Sequence, residues 1–106
     1  MRHRKVLIVQ FDVREGDTLE WFHHIEDTLF QAFSQNRFAE VDGHDYGQGK
    51  FNIFIYPKGA WAPVLERVHA FLKLRKVHDR TVIAKGLESG RWQVVWPENY
   101  STTFEF

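Results

Sequence analysis

The spacing of apolar residues divides the chain into strands and helices. Residues 5–13 are apolar at both alternating sets of positions, which is typical of a strand in the middle of a sheet. Apolar side chains recur every three or four positions in residues 17–35, and this predicts an amphipathic helix. Asp17 is its expected N-cap, with Glu20 completing a capping box. The same spacing predicts a second helix over residues 63–77.

The segment 40–56, EVDGHDYGQGKFNIFIY, predicts a β-hairpin whose register follows from its apolar positions. A three-residue loop over residues 47–49 would put Val41 opposite Ile55 and keep the apolar residues of both strands on one face. A two-residue loop would mix the polar residues of the first strand with those apolar residues, so the pattern favours the longer loop. The other face of the hairpin then carries Asp42, His44, Asn52, Phe54 and Tyr56.

A second hairpin is predicted from residues 80–87 and 91–96, with Trp92, Val94 and Trp96 on one face. The element order β-α-β-β-α-β-β is that of a ferredoxin-like βαββαβ two-layer sandwich with an extra C-terminal strand. We therefore expect a single α+β domain over residues 1–97 and a tail over residues 98–106. Right-handed connections would place the first and third strands in the middle of an antiparallel sheet, with the second and fifth strands at its edges.

This architecture leaves one sheet face without helices, and the sequence predicts that this open face is largely apolar. Besides the polar hairpin face, it is expected to carry Val6, Ile8 and Gln10 of the first strand, and Trp92 and Trp96 of the last. Soluble monomers rarely expose apolar patches beyond a few hundred Å². At about 25 cal/mol per Å², leaving this face exposed to water would lose hydrophobic stabilisation on the order of 10 kcal/mol. We expect cover by a second copy in a homodimer, by a partner protein, or by the tail through Tyr100, Phe104 and Phe106.

Composition excludes several classes of function. Lys plus Arg and Asp plus Glu both number 14, so the chain lacks the basic excess that phosphate neutralisation requires, and we do not expect nucleic-acid binding. The absence of cysteine excludes disulfides, thiol catalysis and thiolate metal sites. The apolar run near the N-terminus is too short for a signal peptide or a membrane span. We therefore expect a cytoplasmic protein that does not associate with membranes.

The sequence contains few residue combinations that are typical of a catalytic or metal-binding site. Asp42, His44 and Asp45 could form an acid–base or metal site, but the same residues are typical of a solvated edge strand, which we favour. Adjacent His23 and His24 would point about 100° apart on a helix and could not easily share a metal. No serine lies in a nucleophile motif. We expect no catalytic residue, no metal and no cofactor.

The run EVDGHDYGQGKFNIFIYPKG, followed by a helix and the strand TVIAKGL, resembles a family of small bacterial ferredoxin-like α+β proteins of unknown function. A D-G-x-x-x-G-x-G-x-x-N-I-F-I-like hairpin carries the resemblance, which covers about residues 1–97. The matching residues are Asp42, Gly43, Gly47, Gly49, Asn52, Ile53, Phe54 and Ile55. The resemblance implies a ferredoxin-like fold and a bacterial origin, and it implies no activity.

The function we favour is a small non-enzymatic binding or protein-interaction module that uses the open sheet face. Its expected binding residues are Asp42, His44, Asn52, Phe54 and Tyr56. One alternative is a dimeric α/β-barrel-type, monooxygenase-like enzyme with His44 as acid–base group and Asn52 as hydrogen-bond donor in one closed cavity. A further alternative is single-stranded RNA binding, with bases stacked on Phe54 and Tyr56.

Overall fold

The computed structural model describes residues 5–34, 38–87, 89–100 and 103–105. Their secondary structure comprises five strands, two α-helices and a short 3₁₀ turn. In chain order these are β1 (Val6–Asp12), α1 (Leu19–Ser34), β2 (Ala39–Gly47), β3 (Lys50–Pro57), α2 (Trp61–Leu74), the 3₁₀ turn (His78–Arg80), β4 (Thr81–Gly86) and β5 (Trp92–Trp96). The prediction of an α+β protein is confirmed.

The strands form one antiparallel sheet in the order β2-β3-β1-β4-β5. β1 pairs with β3 on one side and with β4 on the other, so Leu7 lies between Ile55 and Lys85. The strands β2 and β5 form the two edges. Within the described parts of the chain, neither helix is long and apolar enough to cross a membrane.

The main hydrophobic core lies between the sheet and the helices. On β1, Leu7, Val9 and Phe11 point into this core, as the alternation of β1 requires. The predicted core positions of the hairpin, Val41, Ile53 and Ile55, are confirmed. The two helices contribute their apolar stripes, consisting of Phe22, Ile25, Leu29 and Phe33 from α1 and Val64, Val68, Phe71 and Leu72 from α2.

The start of α1 differs from the prediction, because the capping residue is Thr18. The backbone N–H of Trp21 donates to Thr18 Oγ1 over 3.1 Å, which is the N-cap to N3 hydrogen bond. Asp17 instead accepts from the Arg14 N–H at 2.7 Å and from Arg80 Nη2 at 2.6 Å. The Arg80 hydrogen bond is the main reason that the pKa of Asp17 is lowered. This ion pair joins the beginning of α1 to the 3₁₀ turn before β4.

The β2–β3 hairpin has a two-residue loop, so the three-residue loop expected from the sequence is wrong. Gly47 pairs with Lys50, and the loop residues Gln48 and Gly49 both have positive φ, at 52° and 76°. This is the backbone that two-residue hairpin loops require. The apolar pattern survives because a β-bulge at Asp42 inserts one extra residue between the Val41–Ile55 and Gly43–Phe54 pairs.

The other edge of the sheet also contains a bulge. Ala84 pairs with Val94, whereas the neighbouring Ile83 pairs with Trp96, so Val95 is the extra residue. Trp92 keeps its place on the face away from the helices, but Trp96 turns to the helix side and packs against the core there. The expectation that Trp92, Val94 and Trp96 share one face is therefore wrong for Trp96.

Candidate functional site

The sheet face away from the helices, here called the outer face, has a buried centre. Ile8 and Ala84 pair across β1 and β4 and are both fully buried, although neither belongs to the helix-side core. Gln10 and Asn52, which pair across β1 and β3, are each only 1% exposed. The centre of the outer face, for which the sequence predicted no helix cover, is therefore buried within the single chain.

Two amide side chains form the polar part of this buried centre. Gln10 Nε2 donates one hydrogen bond to Asn52 Oδ1 at 2.9 Å and another to the backbone carbonyl of Glu105 at 2.5 Å. A buried amide without hydrogen-bond partners would destabilise the fold by roughly 1–3 kcal/mol. These hydrogen bonds are therefore needed where the face is shielded from water. The second bond reaches 95 residues along the chain and fixes the tail against β1.

The C-terminal tail also provides an aromatic contact to the outer face. The Phe104 and Trp92 rings lie 5.8 Å apart between centroids and are tilted by 52°, which is a favourable aromatic pairing. A small cavity of 130 Å³ lies beside the tail, lined by Glu105 and by Asp45, Gly47, Gln48 and Lys50 of the hairpin. Of the tail residues expected to cover the face, Phe104 contacts Trp92, whereas Phe106 lies outside the described residues; cover by a second copy or a partner protein stays a prediction.

The expected binding residues do not all lie together. Asn52, Phe54 and Tyr56 lie on the outer face, where Asn52 is buried and the other two are half-buried. Asp42 is exposed at the bulge on the edge of the sheet. His44 lies on the opposite, helix-facing side, because the bulge shifts it into register with Ile53. The predicted face of His44 is therefore wrong.

On the helix side, His44 is held between α1 and the core. Its Nδ1 lies 2.7 Å from Glu26 Oε1, and its ring stacks on Phe51 with centroids 4.9 Å apart and an interplanar angle of 17°. The His23 ring, one turn before Glu26 on α1, lies 4.8 Å from the His44 ring. Sequence reasoning missed Glu26 and rejected His23, since only tertiary packing brings α1 beside β2.

A second histidine pair lies between α2, the 3₁₀ turn and β5. His69 Nδ1 and His78 Nε2 are 2.7 Å apart, so one nitrogen donates a hydrogen to the other. The His78 ring stacks on Trp96 at 4.0 Å, and Trp96 Nε1 donates to the His78 carbonyl at 2.9 Å. This pair was not anticipated from the sequence, because it depends on how α2 packs against the 3₁₀ turn, and its contact with Trp96 depends on the β5 bulge.

Burial is the main cause that lowers the pKa of both histidines of this pair. For His69, the positive charge of Lys73 lowers the pKa further. For His78, His69 and Lys73 both lower the pKa after burial, and Asp79 opposes them. A bond between the two rings needs at least one nitrogen without a proton, so the pair is favoured when it is not doubly protonated.

A cleft of 340 Å³ opens beside the second histidine pair and is lined by His78, Trp96, Asp79, Lys73 and Lys76. A cleft of 440 Å³ lies between the end of α1 and the β2 edge, and its lining includes Phe30, Phe33, Val41 and Lys58 but none of the predicted binding residues. Among the residues that the structure describes, no group of three His, Asp or Glu side chains could hold a metal ion. Comparison of the chain with known protein families, curated proteins and solved structures found no match.

Proposed function

We propose that the protein is a small non-enzymatic binding module that takes up an extended protein segment on the outer face of its sheet. Its own C-terminal tail occupies this face in the free protein. The observation that supports this function is the hydrogen bond from buried Gln10 to the main-chain carbonyl of Glu105. A side chain that binds the main chain can hold a segment largely independently of its sequence.

The tail suggests how such a segment is recognised. The Gln10 and Asn52 amides supply polar contacts in the dry centre of the face, and Trp92 supplies an apolar surface for a side chain such as Phe104. Main-chain hydrogen bonds combined with one or two side-chain anchors are the usual way in which proteins bind extended peptides. Asn52, Phe54 and Tyr56 remain proposed binding residues of this surface, with Asp42 at its edge, whereas His44 is left out because it faces α1.

A tethered tail also sets a threshold for other segments. A short flexible tether gives the attached segment an effective concentration in the millimolar range. A partner must therefore bind more tightly than the tail, or be present at high concentration, before it displaces the tail. The tail would act as a competitor that keeps weak partners off the outer face.

We further propose that the chain is a ferredoxin-like protein of bacterial origin that works in the cytoplasm. The element order β-α-β-β-α-β and the hairpin motif around Asp42, Gly43 and Asn52 support the family assignment. The cytoplasmic location is supported by the lack of cysteine.

The two alternatives are less well supported by the geometry. A monooxygenase-like site would need His44 and Asn52 in one cavity, but these residues lie on opposite faces of the sheet. Base stacking would need the rings of Phe54 and Tyr56 to be accessible, but both side chains are half-buried. Zero net charge also leaves little electrostatic attraction for RNA.

The proposal is tested by supplying the tail as a separate peptide. We expect a chain ending at Pro97 to bind a labelled peptide of residues 98–106, measured by fluorescence anisotropy. Replacing Phe104 by Ala in the peptide should weaken binding about tenfold, because the half-buried Phe104 ring contacts Trp92 and a tenfold change is about 1.4 kcal/mol.

The matched control is the peptide with Thr103→Ala, since Thr103 is exposed and next to Phe104; its affinity should change less than twofold. Poly(U) at low salt serves as the control for RNA binding and should not compete. Circular dichroism of the shortened chain must match that of the full chain. A folded shortened chain that does not bind the peptide, or that binds poly(U) instead, would contradict the proposal.

A further inference from the structure

We propose that His23 and His44 bind a divalent transition-metal cation such as Zn²⁺, with Glu26 as the residue that positions His44. The site would use two protein ligands and complete its coordination with water. It lies on the helix side of the sheet and does not depend on the proposed function of the outer face.

The hydrogen bond to Glu26 fixes which nitrogen of His44 can bind a metal. A carboxylate only accepts hydrogen bonds, so the 2.7 Å contact requires the hydrogen on His44 Nδ1. In neutral His44 the lone pair is then on Nε2. Metal-binding histidines in proteins usually donate their other ring N–H to a carboxylate or carbonyl in this way, which sets the tautomer and makes the ligand more basic.

The centroid separation of the two rings is compatible with a shared metal. Zinc binds histidine nitrogen at about 2.0–2.1 Å, which puts the ring centroids about 4.5–5.2 Å apart for angles of roughly 90–110° at the metal. The His23 and His44 centroids are 4.8 Å apart. His44 is further held by stacking on Phe51, so the ligand with the fixed tautomer is also the one with the fixed ring plane. His23 is exposed and its side chain is free to adjust by rotation.

The charge of the surrounding elements favours a cation. Neither α1 nor β2 contains a lysine or arginine in its sequence. The carboxylates near the site belong to α1, where Glu20, Glu26 and Asp27 lie within four residues of His23, whereas Glu40 and Asp45 of β2 pair with residues of the outer face. Glu26 itself is 14% exposed, so its charge is only partly screened by water.

The other histidine pair has the opposite character. The nitrogens of His69 and His78 point at each other over 2.7 Å and share a hydrogen, which leaves too little space for a metal between them. Lys73 adds positive charge beside both rings. This pair is therefore the internal control for metal binding by histidine elsewhere in the molecule.

The test is a titration of the tag-free full chain with Zn²⁺ at pH 7.5, measured by isothermal titration calorimetry. We expect one site in the wild type and at least tenfold weaker binding in His23→Ala and in His44→Phe, a variant that keeps a ring on Phe51. Glu26→Gln should weaken binding about 10–100-fold, as loss of a partner that orients a ligand does. His24→Ala, His69→Ala and His3→Ala should each change the affinity less than twofold.

A residue-specific measurement separates metal binding from a structural effect. In ¹⁵N spectra of the histidine rings, Zn²⁺ should shift His44 Nε2 and a nitrogen of His23, and leave the rings of His69 and His78 unchanged. Thermal unfolding should show that the variants remain folded. The proposal is overturned if calorimetry detects no Zn²⁺ binding to the wild type with a dissociation constant below roughly 0.1 mM. It is also overturned if His24→Ala or His69→Ala weakens binding as much as His23→Ala.

Discussion

At the scale of single residues, one extra residue in each edge strand determines which face of the sheet His44 and Trp96 point to. The bulge at Asp42 sends His44 towards α1, and the bulge at Val95 sends Trp96 towards α2. The first bulge depends on Gly43, whose φ of 134° is rarely adopted by residues with a side chain. Bulges often aim a side chain at a functional position, and here each one completes a histidine cluster.

We expect Gly43→Ala to destabilise the protein by about 1–3 kcal/mol, because alanine would hold a strained backbone at this position. Space is not limiting, since a Cβ at Gly43 would meet no atom within 4 Å. Gly47→Ala on the same strand is the matched control, because it also has open space and an ordinary φ. Urea unfolding followed by tryptophan fluorescence measures both. Equal stability of the two variants would show that the bulge does not require glycine.

At the scale of elements, side-chain clusters join segments that the backbone does not connect. The Asp17–Arg80 ion pair links the start of α1 to the 3₁₀ turn before β4. The His69–His78 pair, stacked on Trp96, links α2 to the β5 edge. Both clusters connect a helix to the 3₁₀ turn. The His69–His78 cluster contains two histidines whose pKa is lowered mainly by burial, so the packing of β5 should depend on pH.

Stability should fall as the pH is lowered through about 6.5, the ordinary pKa of histidine. The folded protein holds the pKa of His69 and His78 below that value, so the unfolded chain binds more protons in this window and acid favours it. Above the window both states are neutral at these rings and the effect is absent. Below the lowered pKa values, the two histidines cause no further change.

The measurement is urea unfolding at pH 7.5, 6.5 and 5.5. We expect the double variant His69→Gln/His78→Gln to lose less stability between pH 7.5 and 5.5 than the wild type, because the groups that take up protons on unfolding are gone. His24→Gln should keep the wild-type slope. A wild type that gains stability on acidification, or a double variant with an unchanged slope, would refute this assignment.

At the scale of the whole molecule, the centre of the outer face is covered by the far end of the same chain. Ile8, Ala84, Gln10 and Asn52 are buried, and the tail contacts this face through the Glu105 carbonyl and the Phe104 ring. Removal of the tail would expose apolar and amide groups together, and such a surface promotes association.

We therefore expect the full chain to be monomeric in static light scattering and the chain ending at Pro97 to self-associate at the same concentration. Adding the peptide of residues 98–106 in excess should return the shortened chain towards the monomer. The control is the full chain with Thr103→Ala, which should stay monomeric. A full chain that is already dimeric would mean that the tail does not close the face.

Much of the fold was predictable because it follows from local periodicity. The helix stripes, the strands and the core positions Val41, Ile53 and Ile55 follow from spacings of about 3.6 and 2 residues, which depend only on the backbone geometry of each element. Helix capping was predicted one residue too early, since Asp17 and Thr18 both suit an N-cap and the Arg80 side chain engages Asp17.

The candidate sites were predictable only in part. Asn52 and Phe54 were placed on the correct face by alternation along β3, where no bulge intervenes. His44 was placed on the wrong face, because a bulge shifts every later residue of the strand by one position and a sequence pattern does not show where it lies. Glu26 and His23 meet His44 only through packing of α1 against β2, and the His69–His78 pair only through packing of α2 against the 3₁₀ turn.

Local pattern along the chain thus accounts for the element order, the α+β class and the existence of an apolar face that needed a cover. Folding determined what covers it and which side chains meet, because these outcomes depend on contacts such as Gln10 with Glu105, 95 residues apart. Periodicity describes which way a residue points within its own element. It carries no information about a single inserted residue at a sheet edge or about which of several apolar segments reaches a given face first.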